Sequence, residues 1–175
     1  ILEIINNIKI KTIYGKLPKS VNNISQDSRK IGEGDVFVAI KGYTVDGHNY
    51  IEKVIEQGAA LVIASRYEDY NIENCAVIVV KEHEIEKIAS MIAKKINEGS
   101  DVHTVAVTGT NGKTSISTLV HNMLRTLGES SAYIGTNGFG KNDAEPVYFG
   151  NTTPDVVTLH NQIGELRRDN IKNLA

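Results

Sequence analysis

Residues 107–115 read Val-Thr-Gly-Thr-Asn-Gly-Lys-Thr-Ser, and they lie between an apolar run at 102–107 and an apolar helical pattern at Ile116, Leu119, Val120, Met123, Leu124 and Leu127. A strand that passes through a glycine turn directly into a helix leaves little freedom of architecture. It demands an α/β layer, and it exposes successive backbone N–H groups at the positive end of the helix. Gly109 and Gly112 let an anion approach that backbone closely. Lys113 adds a point charge for the β- and γ-phosphates of a nucleotide, and the Thr114 hydroxyl is suited to ligate a bridging Mg²⁺. The commoner phosphate loop, G-x-x-x-x-G-K-[ST], would have a glycine where this chain has Val107, so the loop is a shortened variant.

Upstream, residues 36–40 (Val-Phe-Val-Ala-Ile) follow the turn 32–35 and read as a buried strand. Ile51, Val54 and Ile55 recur at helical spacing until Gly58, and residues 61–64 and 75–80 read as two more strands. Ile85, Ile88, Ala89, Ile92, Ala93 and Ile96 mark an amphipathic helix that ends in residues 97–100. A domain boundary is expected there, giving domains 1–99 and 100–175. Beyond the phosphate loop, residues 131–134 form a probable strand, 135–145 a glycine-containing loop or hairpin, and 147–149 a short strand. Pro154 suits the first turn of a helix carrying Val156, Leu159, Ile163 and Leu166 on one face. The chain then stops as apolar character returns, so the second domain is expected to be truncated.

The net charge is −2, from 19 Lys+Arg against 21 Asp+Glu. No global positive field is available to hold nucleic acid or an anionic membrane surface, and any anionic ligand requires a local site. No apolar stretch reaches the roughly 20 residues of a membrane span and no secretory signal pattern is present, which leads to the expectation of a soluble, cytoplasmic protein. Cys75, the single cysteine, lies in an apolar run and reads as a buried structural thiol. His83, His103, His121 and His160 lack paired metal-ligand spacing, so zinc is not expected, and His48 reads as an aid to the start of a helical segment.

The loop T-G-T-N-G-K-T-S resembles the ATP loop of the Mur ligases and their folylpolyglutamate synthetase relatives. Asp27-Ser28-Arg29, then residues 34–39 (Gly-Asp-Val-Phe-Val-Ala), Lys41-Gly42 and Asp46-Gly47, resemble the UDP-binding N-terminal domain of the third and fourth ligases of peptidoglycan precursor synthesis. Asn151-Thr152-Thr153-Pro154 resembles a substrate-binding segment of the third, the UDP-N-acetylmuramoyl-tripeptide synthetases. By itself Asp27-Ser28-Arg29 reads as a capped turn with an exposed ion pair, and Thr before Pro is a good helix start whatever the function. It is the joint occurrence of the three motifs, in order, that carries the resemblance.

The resemblance implies a small α/β UDP-binding domain followed by the start of a P-loop-type α/β ATP-binding domain. It implies an ATP-dependent ligase that adds the third amino acid, L-lysine or meso-diaminopimelate, to UDP-N-acetylmuramoyl-L-alanyl-D-glutamate through an acyl phosphate, releasing ADP and phosphate. ATP and Mg²⁺ are the implied cofactors, a UDP-muramoyl dipeptide and an amino acid the implied partners, and a monomer the implied state. Gly109, Thr110, Asn111, Gly112, Lys113, Thr114 and Ser115 would hold the nucleotide, Lys113 and Thr114 would serve catalysis, and Thr114 would ligate the metal. Ser28 and the loop Tyr43-Thr44-Val45 would contact the UDP portion, while Asn151, Thr152 and Thr153 would hold the muramoyl-peptide end. Further metal ligands, a modified lysine and a C-terminal domain come later in the family, so this segment alone is expected to bind nucleotide weakly without catalysing ligation. Two alternatives stay open: the fourth ligase, which joins D-alanyl-D-alanine to the tripeptide, and a non-catalytic nucleotide-binding module.

Overall fold

The computed structural model describes residues 10–42, 45–99, 101–148 and 153–175. The chain divides into two compact units, Ile1–Ile96 and Asn97–Ala175.

The first unit is built on a five-stranded sheet of β1 (Thr12–Tyr14), β2 (Ile24–Ser25), β3 (Val36–Val38), β4 (Leu61–Ala64) and β5 (Ala76–Val79), in the order β1-β5-β4-β3-β2. β2 to β5 are parallel, and β1 closes one edge antiparallel to β5. Every residue of β3, β4 and β5 is buried, as expected for parallel strands covered on both faces. Strand alternation sends Phe37, Val62 and Val77 to one face, where they meet Ile51 and Val54 of the short helix α1 (Ile51–Glu56). Helix α2 (Ile85–Ile96) touches β2 and β4 and buries Ile85, Ile88, Ala89, Ile92 and Ala93, the stripe read from the sequence. The strands expected at 36–40, 61–64 and 75–80 are present, two of them shorter. β1 and β2 lack a clear apolar alternation and were not legible.

The second unit has a four-stranded sheet of β6 (His103–Thr104), β7 (Ser131–Gly135), β8 (Gly138–Lys141) and β9 (Asn173–Leu174), ordered β6-β9-β7-β8. β6, β9 and β7 are parallel, and β8 returns as a hairpin on β7. Helix α3 (Lys113–Thr126) connects β6 to β7 and packs on β7. Helix α4 (Val156–Arg168) leads back to β9, which inserts between β6 and β7. Ala132, Phe139, Leu166, Ile171 and Leu174 form the core, with Val102, Ile134 and Ile163 packed against it.

Five expectations change in this unit. The run 102–107 yields only a two-residue strand; Val105 N–H still donates to Leu174 O at 2.8 Å, but the strand lies at the sheet edge and Val105 is exposed. Most of the apolar stripe of α3 is not packed: Ile116, Leu119, Met123 and Leu127 are exposed and Val120 and Leu124 only half-buried, whereas Ser117 and His121 are buried. His121 bridges the Ser131 hydroxyl (3.1 Å) and Asn142 O (3.2 Å), so hydrogen bonding and not apolar burial faces α3 toward β7. On α4, Leu166 is buried as expected, but Val157, Gln162 and Gly164 replace Val156 and Leu159 as buried positions. Asp155, not Pro154, starts that helix, its carboxylate accepting from the N–H groups of Val157 and Thr158 at 3.0 Å. The strand expected at 147–149 is a single bridge of Val147 to Phe139, and Phe149 lies outside the described residues.

Candidate functional site

The phosphate loop follows β6 and ends in α3. Gly112 has φ +80° and Gly109 φ +151°, regions that side-chain-bearing residues rarely adopt, so the two glycines set the shape of the turn. At Gly112 a Cβ would meet nothing nearer than 3.8 Å, so backbone conformation and not crowding requires glycine there. Ile116 N–H makes its bond to Gly112 O at 2.9 Å. The N–H groups of Lys113, Thr114 and Ser115 precede it in the first turn, where no carbonyl four residues back exists within the helix, and they are free for an anion.

Lys113 Nζ turns back to the loop and donates to Gly109 O at 2.7 Å and Thr110 O at 3.5 Å, which holds the cation on the loop. Thr110, Asn111 and Ser115 are exposed around it. The Thr114 hydroxyl lies 3.4 Å from that of Thr136, in the turn between β7 and β8, a neighbour that no spacing in the sequence indicated. Positive charge, convergent N–H donors and a hydroxyl fit a Mg²⁺–polyphosphate: hard oxygen donors suit Mg²⁺ and the rest suits phosphate. Among the described residues no group of three or more His, Cys, Asp or Glu could hold a metal ion.

In the first unit the connections that leave the C-terminal ends of the parallel strands carry the other residues singled out from the sequence. Open parallel sheets bind ligands at that edge. Ser28 lies in a single 3-10 turn, Ser28–Lys30, just after β2, and is buried. Asp27 caps the turn and pairs with Arg29 twice, Nε to Oδ1 at 2.9 Å and the terminal nitrogen to Oδ2 at 2.8 Å. The Arg29 side-chain hydrogen bond holds the Asp27 carboxyl at about 2, and the pairing raises Arg29 in turn. The capped turn with an exposed ion pair is thus present, and it sets Ser28 at this edge.

Val45 is exposed in the connection after β3, while Tyr43 and Thr44 lie outside the described residues. In the second unit Thr153 is exposed just before α4, and Asn151 and Thr152 lie outside the described residues.

Two clefts of the first unit are poor places for a diphosphate. One, of about 470 Å³, is lined by Ile40, Glu82, His83, Ile85 and Glu86. The other, of about 360 Å³, includes Glu52, Glu56 and Glu73. The carboxylates that line each cleft repel an anion.

The sequence reading gave His48 only a part in starting a helical segment. It is buried, and it joins Asp46 to Ser65 at the same strand edge. The signal available was Asp46-Gly47-His48 directly after a buried strand, but the partner is 17 residues away along the chain.

The profile described as Mur ligase family, catalytic domain, matches residues 20–107, and that described as Mur ligase middle domain matches residues 107–175. The chain belongs to the Mur ligase family. It is 39% identical over 175 residues to a UDP-N-acetylmuramoyl-L-alanyl-D-glutamate--L-lysine ligase of Staphylococcus haemolyticus, covering 99% of this chain and 35% of that protein. Among solved structures it is similar to a UDP-N-acetylmuramoyl-L-alanyl-D-glutamate--2,6-diaminopimelate ligase, with TM-score 0.73, 24% identity and coverage of 98% of this chain and 34% of the other. A MurF ligase from Thermotoga maritima in complex with ADP gives TM-score 0.54 at 23% identity, covering 82% and 35%. Both structures share the fold of this Mur ligase chain, which spans about a third of the length of the curated relatives it matches.

Proposed function

We propose that the protein carrying this chain is an ATP-dependent ligase that adds the third amino acid, L-lysine or meso-diaminopimelate, to UDP-N-acetylmuramoyl-L-alanyl-D-glutamate. The observation that carries the reading is the phosphate loop, with Lys113 drawn over a glycine turn and Thr114 at the first turn of α3. The named activity of the Staphylococcus haemolyticus relative supports the third-residue step, and lysine as the amino acid. The ADP in the Thermotoga maritima structure supports a nucleotide at the loop. Membership in the family and the absence of any helix, among the described residues, long and apolar enough to cross a membrane are in keeping with action on a UDP-linked precursor in the cytoplasm.

In this reading the loop from Gly109 to Ser115 grips the triphosphate tail through N–H groups that are already oriented, so little reorganisation is needed as charge develops on the phosphoryl group. Lys113 exchanges its two loop carbonyls for phosphate oxygens and neutralises charge there. Thr114 would supply one oxygen to a bound Mg²⁺, which would contribute neutralisation of phosphate charge. Ser28 and the segment Tyr43-Thr44-Val45 hold the UDP end, and Asn151, Thr152 and Thr153 hold the peptide end that presents its carboxylate. The chain acts by positioning and electrostatics, the main requirements of phosphoryl transfer.

The test is a coupled assay of the full-length protein with UDP-muramoyl dipeptide, ATP and either amino acid. Release of ADP that requires all three components, with a ligated tripeptide detected by mass, is the expected result. ADP release that ignores the UDP-muramoyl dipeptide would refute it. A melting experiment separates a simple nucleotide-binding module from the ligase, because only the ligase is stabilised by the UDP-muramoyl peptide.

A further inference from the structure

His48 is buried with both ring nitrogens occupied. Ser65 N–H, which can only donate, points at Nε2 at 3.1 Å, and the Ser65 hydroxyl lies at the same distance. Nε2 is therefore the unprotonated nitrogen, and Nδ1–H donates to Asp46 Oδ1 at 2.7 Å. Asp46 Oδ1 also accepts His48 N–H at 3.0 Å, and its other oxygen pairs with Arg66 at 3.2 Å. The backbone bond from His48, followed by its ring and the nearby charges, lowers the Asp46 carboxyl to about 2. Glu68 faces Arg66 at 3.5 Å from the other side.

This relay sits at the base of a small hairpin. Lys41 and Asp46 form an antiparallel bridge, Gly42 N–H donates to Val45 O at 2.9 Å, and Gly47 N–H donates to Ile40 O at 2.9 Å. A Cβ at Gly47 would lie 2.8 Å from Ile40 O, so only glycine fits between the hairpin and the histidine. The far end of the relay, Ser65, follows directly on β4. The hairpin base is thus tied to the end of the neighbouring strand through one imidazole in one tautomer.

We propose that His48 is a positioning residue for the nucleotide-sugar substrate: the Asp46–His48–Ser65 relay sets the hairpin after β3 against the sheet edge. The inference rests on the UDP-muramoyl reading above, which assigns this hairpin to the UDP end.

The experiment compares the full-length wild type with H48Q and S65A, with KM for UDP-muramoyl dipeptide and for ATP measured separately. H48Q should raise KM for the UDP substrate about tenfold, the effect of losing one buried positioning hydrogen bond. KM for ATP and kcat at saturation should stay within about twofold. S65A keeps the backbone donor and should change KM for the UDP substrate less than about threefold. S65A leaves the imidazole in place and keeps the test open if H48Q fails to fold. Both KM values and kcat moving together in H48Q, or S65A moving KM for ATP as much as KM for the UDP substrate, would overturn the proposal. A wild type with no affinity for the UDP-muramoyl dipeptide would instead sink the functional reading, and the positioning role with it.

Discussion

The two units treat their apolar residues in opposite ways. In the first, the residues that form a pattern in the sequence are for the most part the residues that are buried: β3, β4 and β5 throughout, and all of the α2 stripe except the half-buried Ile96. In the second, the clearest pattern, on α3, faces outward, with Leu119 58% and Leu127 76% exposed, while a serine and a histidine on the other side pack on the sheet. An apolar stripe states that a helix has a face suited to burial. Whether neighbouring residues bury it depends on how much of the sheet is present, and a four-stranded sheet with the two-residue β6 at its edge offers less cover than five strands flanked by helices. The first unit is organised as a closed core and the second around an exposed glycine turn.

That contrast can be broken most directly through the cores. Phe37→Ala removes a fully buried ring from the first unit and should destabilise it by about 3–5 kcal/mol, read by denaturant unfolding. Lys113→Ala should leave unfolding of the second unit nearly unchanged yet lower kcat of the full-length ligase by about 10²–10³-fold, because the cation serves transition-state charge and not packing. If Lys113→Ala instead lowered stability as much as Phe37→Ala, the division between a core unit and a ligand-facing unit would fail.

The pH dependence should also differ between the units. Asp27 and Asp46 of the first unit titrate near 2 when folded, below their unfolded values near 4. Their contribution is present above the unfolded value and is lost as pH falls from about 4 to 2. In the second unit, hydrogen bonds from Lys141 to Asp169 and Glu165 raise the lysine above its usual 10.5. That contribution is complete below the unfolded value and is lost as pH rises through the folded one, so the second unit should weaken on the alkaline side. Melting followed by a probe in each unit, at pH 3 and above pH 10.5, checks both signs. The smallest effects sharpen the picture. Leu119→Ala should shift the stability of the 175-residue chain by less than about 0.5 kcal/mol. Cys75, buried and pushed up to about 11, should react with a thiol reagent only when the first unit opens, so labelling and unfolding rates should coincide.

Where sequence reading succeeded, neighbours along the chain carried the information. The turn at Gly109 and Gly112, the lysine and hydroxyl that follow, and the stripe of α2 each depend on spacing of a few residues. It failed where the deciding contact was distant. β9 is two residues long and became a strand only because Asn173 and Leu174 found Ser131, Ala132, His103 and Thr104 on either side. Asp155 displaced Pro154 at the start of α4 because a carboxylate satisfies two N–H groups, whereas proline merely fits the geometry.

The amino-acid order alone determined the phosphate loop and the covered strands of the first unit, since local backbone preference and apolar periodicity act over a few residues. Only the tertiary structure decided which face of α3 would be buried, and that His48 would spend both nitrogens joining Asp46 to Ser65. The reason is physical: a helix face or an imidazole has several compatible partners, and which of them it meets depends on strands brought alongside by the folded sheet.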